Sequence, residues 1–331
     1  MKKTDWQRLL PGLVISLISL AVVLYLAKPG QLYQALRLAD YRLVLLASLG
    51  GLMWLLVRAM AWRTLLQNQA SYSQVFFTVN EGYLLNNVLP FRLGEVARAF
   101  LLSHKAGLNF WQVFPTIVIE RVIDLAFAAG LLLSTLPFVI GASWARQAAL
   151  GSGIIVLVGL AGLYILARNR AWALSRFEQL SQRWPRLRKV GGHSVEAFFQ
   201  GLAVLTNGKQ FLLAVFWIFL NWLIALGQYY LILIAFLPDA NLLWAAFTLG
   251  VAAMGIAAPS SPGAVGVYEL VVVGALALFG IPAATALAFA LTAHLTQYLL
   301  VGVLGTIGLA RDGESLIGLY RQTRNISKDE G

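Results

Sequence analysis

Long apolar blocks separated by short polar segments dominate this chain. A helix needs about 20 predominantly apolar residues to cross roughly 30 Å of hydrocarbon at about 1.5 Å per residue. Four blocks approach or exceed that length without a lysine, arginine or carboxylate: 10–27, 150–166, 211–236 and 281–310. Two more are long enough but carry ions, 43–66 with Arg58 and Arg63, and 111–140 with Glu120, Arg121 and Asp124. These read as spans whose charges face protein or a cavity. The pattern predicts about six transmembrane helices. The first block is not read as a cleavable signal peptide, because its apolar run is long and Lys28 and Pro29 follow where small residues would stand.

Two further stretches are apolar but broken. Segment 71–104 holds Asn80, Glu81, Asn86, Asn87, Pro90, Arg92, Gly94, Glu95 and Arg98, and segment 242–279 is cut by Ala-Pro-Ser-Ser-Pro-Gly-Ala at 258–264. Each divides into two half-length helices around a Pro/Gly break, the pattern of a re-entrant helical hairpin. Irregular backbone at membrane depth survives only when it is buried in protein or lines water. The alternative is two full spans per stretch.

Composition sharpens this picture. Of 331 residues 59% are hydrophobic and 12% charged, against roughly 45–50% and about 25% in soluble domains. The expected class is therefore an all-α polytopic membrane bundle. With no cysteine, a disulfide scaffold, a zinc ribbon and a thiol enzyme are excluded. The formal charge of +11 is read as membrane orientation rather than nucleic-acid binding. Fifteen basic residues fall in the N-terminus, the loop 168–209 and the tail 311–331, whereas Lys28, Arg37, Arg42 and Arg146 alone would face the other side. By the positive-inside rule both termini and that loop are cytoplasmic.

With six spans the two hairpins enter from opposite faces. Pro90, Gly94 and Glu95 then answer to Pro262, Gly266 and Glu269, which suggests an inverted repeat around a midplane site. The expected division is one integral membrane domain, 1–331. It has a first half 10–167 with hairpin 71–104, an amphipathic loop 168–209, a second half 210–310 with hairpin 242–279, and the tail. In the loop, Val195, Phe198, Phe199, Leu202 and Leu205 recur at helical spacing beside Trp172, Trp184 and several arginines. This fits helices lying on an anionic leaflet, or equally a helix packed under the bundle by the same stripe.

The remaining six basic residues, Arg58, Arg63, Arg92, Arg98, Lys105 and Arg121, all lie in the first half. A guanidinium at membrane depth costs about 2.5–3.5 kcal/mol on insertion scales, so each needs a partner or a task. Pro90 presets a short helix on which Arg92, Glu95 and Arg98 follow, and a helix N-terminus beside arginine suits a phosphate such as a lipid headgroup. The structural alternative is that Glu95 neutralises Arg98 and fixes the hairpin. Glu120, Arg121 and Asp124 carry a net −1 and call for a basic partner, Arg58 or Arg98; the reading is a structural ion network, with a proton-coupling role as the alternative. Pro259, Pro262, Gly263 and Gly266 break the second hairpin ahead of Glu269, its one acid, which reads as a functional carboxylate or a helix-terminal charge. His294 reads as a hydrogen-bonded core histidine, with a proton relay as the alternative. No catalytic signature, metal motif or cofactor loop is present, so neither an enzyme, a cofactor nor a metal is expected.

Three motifs stand in order: Asn87-x-Leu89-Pro90-x-Arg92-x-Gly94-Glu95-x-x-Arg98, Glu120-Arg121-x-x-Asp124, and Pro259-x-x-Pro262-Gly263-x-x-Gly266-x-x-Glu269. Together, and over roughly 10–310, they resemble the lysylphosphatidylglycerol synthase transmembrane, or flippase-like, family, the membrane half of the multiple peptide resistance factor. The resemblance implies translocation of an aminoacylated or anionic phospholipid, or a polyprenyl-linked lipid, across a bacterial-type inner membrane. Arg92, Arg98, Glu95, Asn87 and Glu269 would then contact substrate. The chain lacks the soluble aminoacyl-transferring domain, so lysyl transfer is not expected of it. It also carries His294 where family members carry an arginine ahead of the tyrosine, here Tyr298. The implied partners are membrane lipids, a second copy in a homo-oligomer, or a lipid-synthesising or glycosyltransferase enzyme. The rival reading is a membrane-embedded lipid-modifying enzyme or an accessory subunit of a lipid glycosyltransferase.

Overall fold

A computed structural model describes residues 3–89, 93–141, 145–183, 192–256 and 261–313. Pro90, Arg92, Trp184, Pro259 and the basic residues of the tail beyond Arg311 lie outside the described residues. Thirteen α-helices are described: α1 (Lys3–Ala27), α2 (Pro29–Leu38), α3 (Tyr41–Leu65), α4 (Tyr72–Val88), α5 (Gly94–Ala106), α6 (Phe110–Ile140), α7 (Ala145–Arg168), α8 (Arg170–Arg183), α9 (Gly192–Leu202), α10 (Gly208–Phe236), α11 (Leu242–Gly255), α12 (Val267–Ala277) and α13 (Ala283–Arg311). Each of the six apolar blocks forms one long helix. Four are long and apolar enough to cross a membrane as they stand, and up to six if the bent pairs α1/α2 and α7/α8 each count as one span. Leu17, Ile18, Leu46, Leu49, Ile155, Leu157, Leu212, Phe216, Leu299 and Val303 are exposed. A surface this apolar is intolerable in water and natural in lipid.

Short polar residues start the helices. Asp40 accepts from the Arg42 amide, Ser71 and Gln74 form a capping box, and Asn109, Asn207 and Asn241 cap α6, α10 and α11. Each oxygen satisfies an amide that lacks an intrahelical partner, which matters more where water is scarce. The two broken stretches form α4/α5 and α11/α12, each a packed pair of short helices.

The halves pack alike. Exchanging α3, α4, α5 and α6 for α10, α11, α12 and α13 reproduces the neighbour relations: α4 lies on α13 as α11 lies on α6, α5 on α6 as α12 on α13, and α3 on α4 as α10 on α11. α3 and α10 form the central pair and run antiparallel, since the Asp40 amide donates to Ala235 O and the Asn221 side chain to Trp54 O at 2.7 Å. Trp54 and Asn221 are each the fourteenth residue of their helix, so the relating two-fold passes beside them. Antiparallel partners related this way are inverted copies, the arrangement the hairpin order suggested.

The loop stripe is decided by packing. Phe199, Leu202 and Leu205 are buried in the large first-half core, and α9 lies against α6. This stripe packs under the bundle rather than on a leaflet. α8 instead turns away from α7 by 81° and leaves Trp172 exposed, with Arg176 over its ring.

Candidate functional site

α3, α5 and α6 bring six ions together in the first half. Glu120 Oε1 accepts from Nη2 of Arg58, Arg98 and Arg121, each at 2.7 Å. Arg58 also grips Asp124 with two bonds of 2.9 and 2.5 Å, so one-turn spacing on α6 places Glu120 and Asp124 on one guanidinium. Glu95, from the first turn of α5, lies 3.3 Å from Arg98 and 3.7 Å from Arg121. Three arginines face three carboxylates, so the cluster is neutral. The basic partner required by the 120–124 group is both Arg58 and Arg98.

Burial separates these groups. Arg98 is 1% exposed, and its guanidinium also lies 4.4 Å over the Trp62 ring. In this conformation it holds the hairpin rather than presenting itself to a headgroup. Glu120 is fully buried, whereas the Arg121 side chain is 37% exposed, the most exposed of the three arginines. Several buried atoms have no hydrogen-bond partner: Arg98 Nε and Nη1, Arg121 Nε and Glu120 Oε2. Unmet polar capacity of this kind is unusual in an interior.

Asn87 is half-buried on the last turn of α4, and its neighbour Asn86 is the residue that reaches Glu95, at 3.4 Å. Sequence reading also missed Trp222 of α10, whose indole N–H donates to Asp124 at 3.2 Å, and the Trp62 platform. Neither carries a local signal, because their partners Arg98 and Asp124 are 36 and 98 residues away in sequence and meet only through packing.

The second hairpin gathers a different set. Glu269, 2% exposed, accepts from the Gly266 amide at 2.6 Å and pairs with His294 Nδ1 at 2.6 Å. The Gly263 carbonyl accepts from Tyr298 Oη at 2.7 Å and faces His294 Nε2 at 3.1 Å. Gly263 and Gly266 have φ of 68° and 85°, left-handed values that side chains resist. α4 of the first hairpin packs on the Pro262–Ala264 turn of the second, so the two broken hairpins meet inside the bundle. Among the described residues no group of three or more metal-ligating side chains occurs.

A third cluster sits at the far end of the first hairpin. Buried Glu81 pairs with Lys105, which also pairs with Asp312, and Arg311 covers Phe77 at 4.3 Å. Lys105, Asp312, Arg311 and Phe77 border a cleft of about 440 Å³ that His104 and Gln74 also line. Replacing Lys105 by Met should leave Glu81 buried without a counter-charge and cost about 3–5 kcal/mol, read as a lowered thermal unfolding midpoint of the purified protein. Unchanged unfolding would mean that the pair carries no stability.

Residues 9–305 match the family described as lysylphosphatidylglycerol synthase TM region. Similar curated proteins include a UPF0104 membrane protein of Methanothermobacter thermautotrophicus, 23% identical over 92% of this chain and 95% of its own length. A UPF0104 membrane protein of Methanocaldococcus jannaschii is 22% identical over 90% and 93%. The glycosyltransferase AglD of Haloferax volcanii is 23% identical over 90% of this chain but 53% of its own length. No solved structure matches the chain with significance.

Proposed function

The chain belongs to the lysylphosphatidylglycerol synthase TM region family and is a multi-pass membrane protein; from that premise we propose that it translocates a lipid across the inner membrane. The lipid is an anionic or aminoacylated phospholipid or a polyprenyl-linked lipid, and the termini are cytoplasmic. The observation that carries this reading is the meeting of two broken hairpins inside a bundle whose first hairpin also holds a neutral, under-bonded ion cluster. Such backbone at depth suits a polar headgroup passing through while its acyl chains stay in lipid.

Arg121 is the entry contact. Its guanidinium shares Glu120, Asp124 and the more distant Glu95, and a phosphate can replace Glu95 with two parallel, charge-assisted bonds. Displaced Glu95 would release its hold on Arg98 and loosen the foot of α5. The cluster is neutral before a phosphate arrives, so the displaced Glu95 carboxylate must swing to water or take up a proton.

The test is movement of fluorescent phosphatidylglycerol between leaflets of proteoliposomes. Arg121→Gln and Glu95→Gln should each slow it at least roughly tenfold while the protein remains monodisperse. Wild-type rates in both would overturn the headgroup assignment.

A second reading is favoured by the glycosyltransferase relative, of which this chain resembles about half. The protein would then be a membrane module that presents a lipid to a transferase. A requirement for a soluble transferase before any lipid is consumed or moved would select it.

A further inference from the structure

The two halves place different residues at one position. Arg121 is the twelfth residue of α6 and His294 the twelfth of α13, and each faces the carboxylate at the start of the neighbouring hairpin helix, Glu95 or Glu269. Arginine keeps its charge at every accessible pH, whereas an imidazole gains or loses a proton near neutrality. One clamp is permanent and the other is titratable.

The partners of His294 dictate how many protons its site holds. Nδ1 faces Glu269 Oε1, and Nε2 faces the Gly263 carbonyl. The carbonyl can only accept, so Nε2 must carry a hydrogen. Between Nδ1 and Oε1 one further proton is required, on the ring as imidazolium or on the carboxyl as acid. Glu269 Oε2 is occupied by the Gly266 amide. If the pair loses that proton, either Nε2 points a lone pair at the carbonyl or Nδ1 points one at the carboxylate, and one of the two bonds breaks.

We propose that Glu269 and His294 form a proton-binding site that latches the 261–266 break, so that proton release frees the second hairpin and lipid movement is coupled to a proton. The coupling rests on the lipid-translocation reading; the proton site does not. The proton moves without redox change, from the pair to water or back. The groups around it are few. α12 contributes Glu269 and Tyr268, whose ring lies 4.5 Å from the imidazole, α13 itself Tyr298, and α10 Tyr229 behind Tyr268. α1 contributes the Ser16 hydroxyl, which accepts from the Ser261 amide. Glu81 of α4 lies beside Gly308, about four turns along α13. Arg58 of α3 is committed to Glu120 and Asp124, and Arg37 of α2 makes no ion pair among the described residues. Glu269 is the one charged partner of His294 among them.

The chain has no cysteine, so a single introduced thiol reports cleanly. Ala264 is buried at the turn, and Ala264→Cys should react with a maleimide only when the latch opens. The reference is the same thiol in a His294→Arg background, which copies the permanent clamp of Arg121 and cancels the ionisation of the thiol. The ratio of labelling rates should rise roughly tenfold between about pH 6 and about pH 9. A constant ratio overturns the proposal. If His294→Arg does not fold, the ring ¹⁵N shifts of His294 in the wild type decide, assigned among three histidines by His294→Asn. They should change over the same range, and unchanged shifts overturn it. The same vesicles then separate the two readings. Switching without lipid movement removes the translocation reading and keeps the proton site, and lipid movement with a flat ratio does the reverse.

Discussion

Replacing Glu120 by Gln is expected to unfold the first half of the bundle. The single oxygen Oε1 accepts from Arg58, Arg98 and Arg121, and without its charge three guanidinia share Glu95 and Asp124. One buried positive charge is then unmatched. Breaking a buried pair by removing one partner costs about 3–5 kcal/mol, a large part of the 5–15 kcal/mol that typically separates folded from unfolded. The measurement is thermal unfolding of protein purified in detergent, with the yield of monodisperse material. The double replacement Glu120→Gln with Arg98→Met removes one charge of each sign and should recover much of the loss, because restored neutrality rather than one particular contact is what the interior requires. Equal instability of the single and double variants would assign the effect to geometry instead.

Under the proposed translocation function, replacing Gly94 by Ala is expected to stop lipid movement at a smaller cost in stability. A Cβ at Gly94 would lie against the Gly82 carbonyl and 2.5 Å from Asn86 Oδ1, where backbone cannot yield as a side chain does. The two arms of the first hairpin must part, and Asn86 loses its place on Glu95. Overpacking of this kind costs typically about 1–3 kcal/mol. Transport should fall at least roughly tenfold, because misplacement by about 1 Å is enough to spoil a positioned site. Gly130→Ala on α6, where a Cβ would meet nothing within 4 Å, is the matched control. Loss of transport in both would detach the effect from the hairpin.

Much of the fold was legible because burial in lipid is a local property. Six apolar blocks became six long helices, and Pro/Gly breaks became the two short-helix pairs. The requirement that 120–124 find a basic partner was also legible, from charge counting alone. What the sequence left open was which partner, and packing chose both arginines. The stripe of Phe199, Leu202 and Leu205 shows the limit from the other side: periodicity says that one face is apolar and is silent on whether lipid or protein covers it. Asn86 rather than Asn87 meets Glu95 because helix phase, at about 100° per residue, decides which of two neighbours faces the partner arm.

The sequence by itself determined that this protein is a helical membrane protein, which blocks form its long helices, and that the intramembrane arginines lie in one half. The tertiary structure alone decided that α3 and α10 form an antiparallel centre, that the hairpins meet, and that Arg121 and His294 occupy equivalent posts. Hydropathy and capping act over one helical turn or one span. Ion pairing and the choice of proton partner act across helices far apart in the chain, where only the packed arrangement brings donor to acceptor.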